Sequence, residues 1–447
     1  MTNEPDPRQF DHSDIPPTLS SGFAVKFWLA VLLTGVGAGL AAGVLTWLLL
    51  SVEHLVWPGP NILEAASDSA PARHVWVLLG AGLLTGCAQF VVHRLSSANG
   101  LDITEAIARF AGRLPVLRTA ASALLSVIVV GMGASLGREG APKQVGALIA
   151  NALCDRTGLS DEQRRLLVAC GAGAGMAAAY GVPLGGALFA LEVLRGVLAL
   201  RLILPALLAS ATATAVSWLM LPNAPTYVVP AYPLSASVVC WALLAGPVAG
   251  LVSVGYVRAV AWADRHRPTG WQRLLAPAVA LVAVGGISIE FPQVLGNGKD
   301  VAQLAFLGAV PPLLLVALVF LRPLATLACL GSGVPGGLFT PSLAMGALLG
   351  GVLGAAWSWF WPGVPPGLFA VVGATAVLAA TTHGPISSVV LVMELTARDR
   401  SFMLPMLAAV VTATIVARTL DARSIYDARF TDQEVRNLVR ERKPPAG

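Results

Sequence analysis

The chain repeats itself at an interval of 200 residues. Gly137-Arg138-Glu139-Gly140, followed by Gly146-Ala147-Leu148, stands against Gly337-Leu338-Phe339-Thr340, followed by Gly346-Ala347-Leu348. A second pair follows at nearly the same offset: Pro183 leads to Glu192 and Pro385 to Glu394, nine residues on in each case. A repeat in a membrane chain constrains the fold strongly, because duplicated transporters place their binding site between the halves.

That this is a membrane chain follows from composition. Of 447 residues, 56% are hydrophobic before 46 glycines are counted, and only 12% are charged. No soluble domain of this size hides so much apolar surface. The runs 27–50, 75–92, 119–136, 236–257, 274–289, 311–330 and 404–417 are almost free of charge. Several reach the roughly 20 residues that cross a bilayer. The stretches 144–150 and 338–349 are shorter and flanked by glycine, which predicts helices that stop at mid-membrane.

Met1 to Ser21 is polar and acidic, and no cleaved signal peptide is expected there. Basic residues crowd the tail from Arg418 to Lys443, and Arg258, Arg265, Arg267 and Arg273 form a second basic loop. The positive-inside rule puts both on the cytoplasmic side, with both termini. The net charge of +5 is therefore a matter of topology, and no nucleic-acid partner is expected. Cys87, Cys154, Cys170, Cys240 and Cys329 stand singly, as small core residues do, and neither they nor the six histidines suggest a metal or cofactor site.

The organisation expected is a polar segment 1–21, a first membrane repeat 22–221, a Pro-rich connection 222–233, a second repeat 234–420 and a short basic tail 421–447 with no regulatory domain. Gly171-Ala172-Gly173-Ala174-Gly175 predicts close helix approach.

Gly137-Arg138-Glu139-Gly140 carries the chemistry. Glycines free backbone N–H groups, and a helix beginning at mid-membrane aims its positive end into the site; together they attract an anion. Glu139 is then a tethered anion able to occupy the place of a mobile one, released when it takes up a proton. The alternative is a salt-bridged Arg138–Glu139 surface turn. The second copy, Gly336-Gly337-Leu338-Phe339-Thr340-Pro341, substitutes apolar residues for the charges and can offer backbone N–H groups from the other half. A bland turn ahead of a helix is its alternative.

The segments 137–147 and 332–350, with the paired Pro and Glu positions, resemble the CLC family of chloride channels and proton-coupled anion antiporters over about residues 25–430. The resemblance implies an all-α polytopic membrane protein of two inverted-topology repeats with broken, mid-membrane helices, assembled as a homodimer in the inner membrane with a pore in each subunit. It implies Glu139 as gate and proton carrier, and Gly137, Arg138, Gly140, Leu338 and Phe339 around the anion, with Tyr426 presenting its hydroxyl. Glu192 and Glu394 fall at helix ends near the dimer side, with structural roles.

Three departures matter. Where the family carries Gly-Ser-Gly-Ile-Pro, this chain reads Ala98-Asn99-Gly100-Leu101-Asp102, so Asn99, or Ala98 after a one-residue slip, takes the serine's place. Val193 stands where chloride/proton antiporters carry an inner glutamate, a lost proton station. Ala141-Pro142-Lys143 shifts the proline and adds a charge. The first two resemble the fluoride-exporting branch, CLC-F. Fluoride is strongly hydrated, and an amide offers two donors where serine offers one. The amide can also turn its oxygen inward, and Asn99 can serve as a helix N-cap.

The function expected is a proton-coupled fluoride exporter that protects against cytoplasmic fluoride, its partners being fluoride or chloride, protons, lipid and a second copy of the chain. The alternatives are a chloride channel or chloride/proton antiporter, and an intramembrane hydrolase. The last needs a nucleophile with a base, and Ser135 and Ser332 have no His or Asp partner identifiable in the sequence.

Overall fold

The computed structural model describes residues 24–95, 102–398, 402–421, 423–428, 430, 431 and 433–435. The first half contains α1 (Ala24–Val56), α2 (Ile62–Ser67), α3 (Pro71–Leu95), α4 (Ile103–Arg109), α5 (Val116–Gly131) and α6 (Gly140–Thr157). It continues with α7 (Asp161–Tyr180), α8 (Pro183–Phe189), a π-helical turn (Ala190–Arg195) and α9 (Leu200–Ser217). The second half contains α10 (Ala236–Arg265), α11 (Gln272–Glu290), α12 (Lys299–Phe306), α13 (Pro312–Ser332) and α14 (Phe339–Trp357). It ends with α15 (Pro366–Thr382), α16 (Pro385–Thr396) and α17 (Met403–Leu420). Except for the short α2, each helix of the first half has a counterpart in the same order in the second. The stretch 222–233 between the halves carries no helix.

Seven helices among the described residues are long and apolar enough to cross a membrane. Counterparts meet each other at two places, α3 against α11 and α8 against α16. Contact between equivalent helices is what a pseudo-two-fold relation between the halves produces. Within each half the same neighbours recur: α6 lies on α7 as α14 lies on α15, and α1 on α9 as α10 on α17. Small residues allow this closeness. A Cβ on Gly146 would fall 2.0 Å from the Gly171 carbonyl oxygen, and one on Gly175 would fall 2.0 Å from that of Pro142.

Two sequence expectations are corrected here. The helix after the second glycine loop does not stop near residue 349. It runs 19 residues to Trp357 and reaches spanning length. Gly350 and Gly354 do not end it because they are contact points, where a Cβ would strike the Phe369 backbone and ring. The helix after the first glycine loop likewise exceeds 144–150, running from Gly140 to Thr157. The cysteines also divide: Cys154, Cys170 and Cys329 are core, whereas Cys87 and Cys240 are exposed on α3 and α10. Helix faces that meet lipid accept a thiol as readily as a core does.

The paired Pro and Glu positions form a reciprocal clasp. Pro183 and Pro385 open α8 and α16, where a missing N–H costs nothing. The Glu394 carboxylate accepts from the Leu184 and Gly185 amides at 3.1 and 2.6 Å. The Glu192 carboxylate accepts from the Ile386 and Ser387 amides at 3.2 and 2.6 Å. Each half therefore supplies the anion that caps the other half's helix. Replacing Glu192 by Ala is expected to destabilise the protein by about 2–3 kcal/mol, the worth of hydrogen bonds to a charged group. Thermal unfolding in detergent checks this, and Glu394→Ala should cost a similar amount.

On one side of the molecule Arg258 of α10 pairs with Asp421, just past α17, at 2.8 Å. The two basic segments of the sequence therefore emerge on the same face.

Candidate functional site

Two glycine loops meet at the centre of the fold. One joins α5 to α6 and the other joins α13 to α14. They are paired reciprocally: the Gly137 amide donates to the Gly337 carbonyl at 2.7 Å, and the Gly337 amide to the Gly137 carbonyl at 2.8 Å. With the Glu139 carboxylate in place, only hydrogen fits at either position. A Cβ on Gly337 would lie 2.0 Å from Glu139 Oε1, and one on Gly137 would lie 2.2 Å from both carboxylate oxygens. The two halves of the repeat thus enclose a single side chain.

That side chain, Glu139, is fully buried. It sits at the N-cap of α6 and turns its carboxylate onto the first turn of α14. Oε1 accepts from the Phe339 amide at 2.8 Å, and Oε2 accepts from the Thr340 hydroxyl at 3.0 Å. The Tyr180 hydroxyl lies 2.8 Å from Thr340 Oγ1 and 3.4 Å from Glu139 Oε2. Each hydroxyl has one hydrogen. Tyr180 donating to Thr340, and Thr340 to Glu139, satisfies both. The start of α14 adds its positive end to these donors.

The other residues expected at the site are distributed around this seat. Leu338 is the N-cap of α14. A Cβ on Gly140 would meet the Gly337 amide at 3.1 Å, so this residue too is held by close approach. Arg138 stacks its guanidinium 4.9 Å over the Tyr180 ring, and among the described residues no ion pair joins it to Glu139. The surface turn allowed by the sequence therefore does not form. Val193 is buried in the π-helical turn against Gly384. Asn99 lies outside the described residues.

Tyr426 is linked to the Glu139 seat by a row of aromatic rings. Phe339 packs on both Tyr180 and Phe189, and Phe189 packs edge-on against Tyr426 with centroids 5.5 Å apart. These four rings run from the hydroxyl beside Glu139 to the hydroxyl of Tyr426. The Tyr426 hydroxyl is 3.3 Å from Lys143 Nζ. Beside it opens a cavity of about 410 Å³, lined at its inner end by Gly336, Gly337, Leu338, Lys143 and Tyr426. The cavity passes Asp102 and reaches Arg118, Arg267, Arg273 and the exposed His93.

Tyr180 and Thr340 were not singled out by their sequence context. Tyr180 ends a run of alanines and glycines, where it reads as a core residue. Thr340 was visible only as part of the Gly-Leu-Phe-Thr segment.

The family pattern described as "Voltage gated chloride channel" matches residues 81–418. The chain belongs to the CLC family. It is 32% identical over 397 residues to the voltage-gated ClC-type chloride channel ClcB of Citrobacter koseri, covering 86% of this chain and 92% of that one. It is 35% identical over 402 residues to the ClcB of an Escherichia coli strain, covering 86% and 91%. Among solved structures, a slow cyanobacterial Cl-/H+ antiporter superposes with a TM-score of 0.78 at 20% identity, over 94% of this chain and 99% of that one. A CLC-type fluoride/proton antiporter superposes with a TM-score of 0.74 at 21% identity, over 91% and 98%. At such identities the structures establish the CLC fold, with its two inverted repeats and broken helices. A CLC protein is a channel or transporter, not an enzyme, and this one is a multi-pass membrane protein.

Proposed function

We propose that this CLC protein exchanges a monovalent halide for protons, with Glu139 as gate and proton carrier. One observation carries the reading: the Glu139 carboxylate is seated on the Phe339 amide and the Thr340 hydroxyl at 2.8 and 3.0 Å. Halide and carboxylate compete for the same donors. Proton uptake removes the charge that makes the carboxylate a strong acceptor, and the anion then takes the seat. With Val193 at the family's inner glutamate position, the coupling is assigned to Glu139 without that second station. One repeat on each side of the 222–233 connection supplies half of the filter. Gly137, Arg138, Gly140, Leu338 and Tyr426 line the anion's route on this reading.

The transported ion is assigned first as chloride, on the names of the relatives that share 32% and 35% identity with the chain. Fluoride export is the second reading. Asn99 at the serine position favours it, as do the hydroxyls of Thr340 and Tyr180 around the gate, since a strongly hydrated ion needs dense donors. The setting proposed is a homodimer in a bacterial inner membrane, with the basic loops, the cavity mouth and both termini on the cytoplasmic side.

Reconstituted flux tests the choice. Liposomes loaded with chloride or with fluoride should release chloride as fast as fluoride, or faster. Fluoride release with chloride retained would transfer the assignment to the second reading, and retention of both ions would sink the transport reading.

A further inference from the structure

Lys143 is a charge that the gate does not account for. It lies four residues beyond Glu139 on the same face of α6, its amide donating to the Glu139 carbonyl at 3.3 Å. One turn of helix therefore carries a carboxylate pointing to α14 and an ammonium pointing to the cavity. The residue is only 5% exposed. Its side chain is flanked by rings, with Nζ 5.2 Å from the centroid of Phe189 and 4.8 Å from that of Tyr426.

An ammonium has three donors. The Tyr426 hydroxyl, at 3.3 Å, is the only hydrogen-bond partner of Nζ among the described residues. No ion pair joins Lys143 to a carboxylate there. Glu139 and Asp102 act on it electrostatically from further away. A buried cation held only by ring faces and one long hydrogen bond is costly. Cation–π contacts offset part of that cost. Lys143 lines the 410 Å³ cavity together with Leu338, Gly336 and Gly337.

We propose that, in this chain, the Lys143 ammonium joins the Tyr426 hydroxyl as a charged ligand of the monovalent halide on the cavity side of the gate. The inference rests on the anion pathway proposed above and deepens it. The gate is served by neutral donors, the Thr340 hydroxyl and the Phe339 amide, which a carboxylate and a halide can exchange. The inner site has a full positive charge, which holds an arriving anion while Glu139 still occupies the gate. The charge also offsets the repulsion between that anion and the Glu139 carboxylate one turn away. Arg267 is paired with Asp264 at 2.6 Å, but with Arg118 and Arg273 the arginines along the cavity outnumber its carboxylates, Asp102 and Asp264, a balance that favours anions there.

Titration calorimetry on the purified full-length protein, with sodium chloride and sodium fluoride as probes in an otherwise halide-free buffer, tests this. Wild type should bind, and Lys143→Arg, which keeps the charge, should bind within a few-fold of wild type. Lys143→Met should weaken binding by about 30-fold or more, as truncating one partner of a buried charged pair does. If the Met variant is not monodisperse, Lys143→Gln takes its place in the comparison with Lys143→Arg. Unchanged affinity in the neutral variants, with only a lowered melting temperature, would overturn the proposal and leave Lys143 a packing residue. Equal loss in the Arg and neutral variants would overturn it as well. A wild type that neither binds nor releases halide would overturn the transport reading too, whereas a wild type that does both while the neutral variants bind equally well overturns this inference alone.

Discussion

Glu139→Gln is expected to stop proton movement while anion movement continues. The amide has nearly the shape of the carboxylate, and its oxygen can still accept from the Phe339 amide, which donates to Glu139 at 2.8 Å. It cannot take up or release a proton at any working pH. Proton flux should therefore fall by about 100-fold or more, the usual scale for losing a positioned proton carrier. The neutral amide also holds its seat more weakly than an anion does, since hydrogen bonds to charged groups are the stronger ones. Anion release should then be as fast as in wild type or faster. Liposomes with a chloride electrode outside and a pH electrode beside it report both quantities in one run. Proton flux that survives the substitution would remove Glu139 from the carrier role.

The second large effect comes from a residue with no side chain. Gly337 is not in the left-handed region, so alanine can adopt its backbone conformation. Its Cβ, however, would fall 2.0 Å from Glu139 Oε1 and 2.4 Å from the carboxyl carbon. The obstructed group is the mobile end of a side chain, so the carboxylate gives way and the loops do not. Gly337→Ala should fold, leave the Phe339 amide without its carboxylate partner, and reduce the number of protons moved per anion by about tenfold, the equivalent of one to two lost hydrogen bonds. Combining it with Glu139→Gln should lower coupling no further, because both act on one group. Independent losses in the double variant would mean that the glycine pair serves something other than the seat of Glu139.

The sequence made the fold legible where the physics is local or repeated. Apolar runs marked the spans, and the 200-residue offset identified the two loops that meet. The Pro and Glu spacing marked the clasp, although not its reciprocity. Glu192 capping α16 and Glu394 capping α8 depend on the pseudo-two-fold relation between the halves, which no window of sequence contains. For the same reason Tyr180 escaped notice. It ends α7, and its function arises from the contact of that helix end with the start of α14, 160 residues later. Thr340 was in view, but a hydroxyl in the first turn of a helix reads as a local feature until a carboxylate from the other half is placed 3.0 Å away. Lys143 is legible in the sequence as a departure from the family's pattern. Its direction, towards Tyr426 and the cavity, follows only from the packing of α6 beside the rings of Phe189 and Tyr426. The full length of α14 is hidden in the sequence, because its glycines are points of contact with α15 and not helix ends.

The central claim is that one carboxylate, Glu139, exchanges places with an anion and carries a proton when it does. Uphill proton movement in wild-type liposomes tests it most directly. Vesicles loaded with concentrated potassium chloride are placed in dilute chloride at equal pH and equal potassium, and valinomycin holds the membrane potential near zero. Chloride leaving the vesicles should draw protons in, and the outside solution should become alkaline until a protonophore reverses the change. Chloride release without alkalinisation would contradict the account and make the protein a passive pathway.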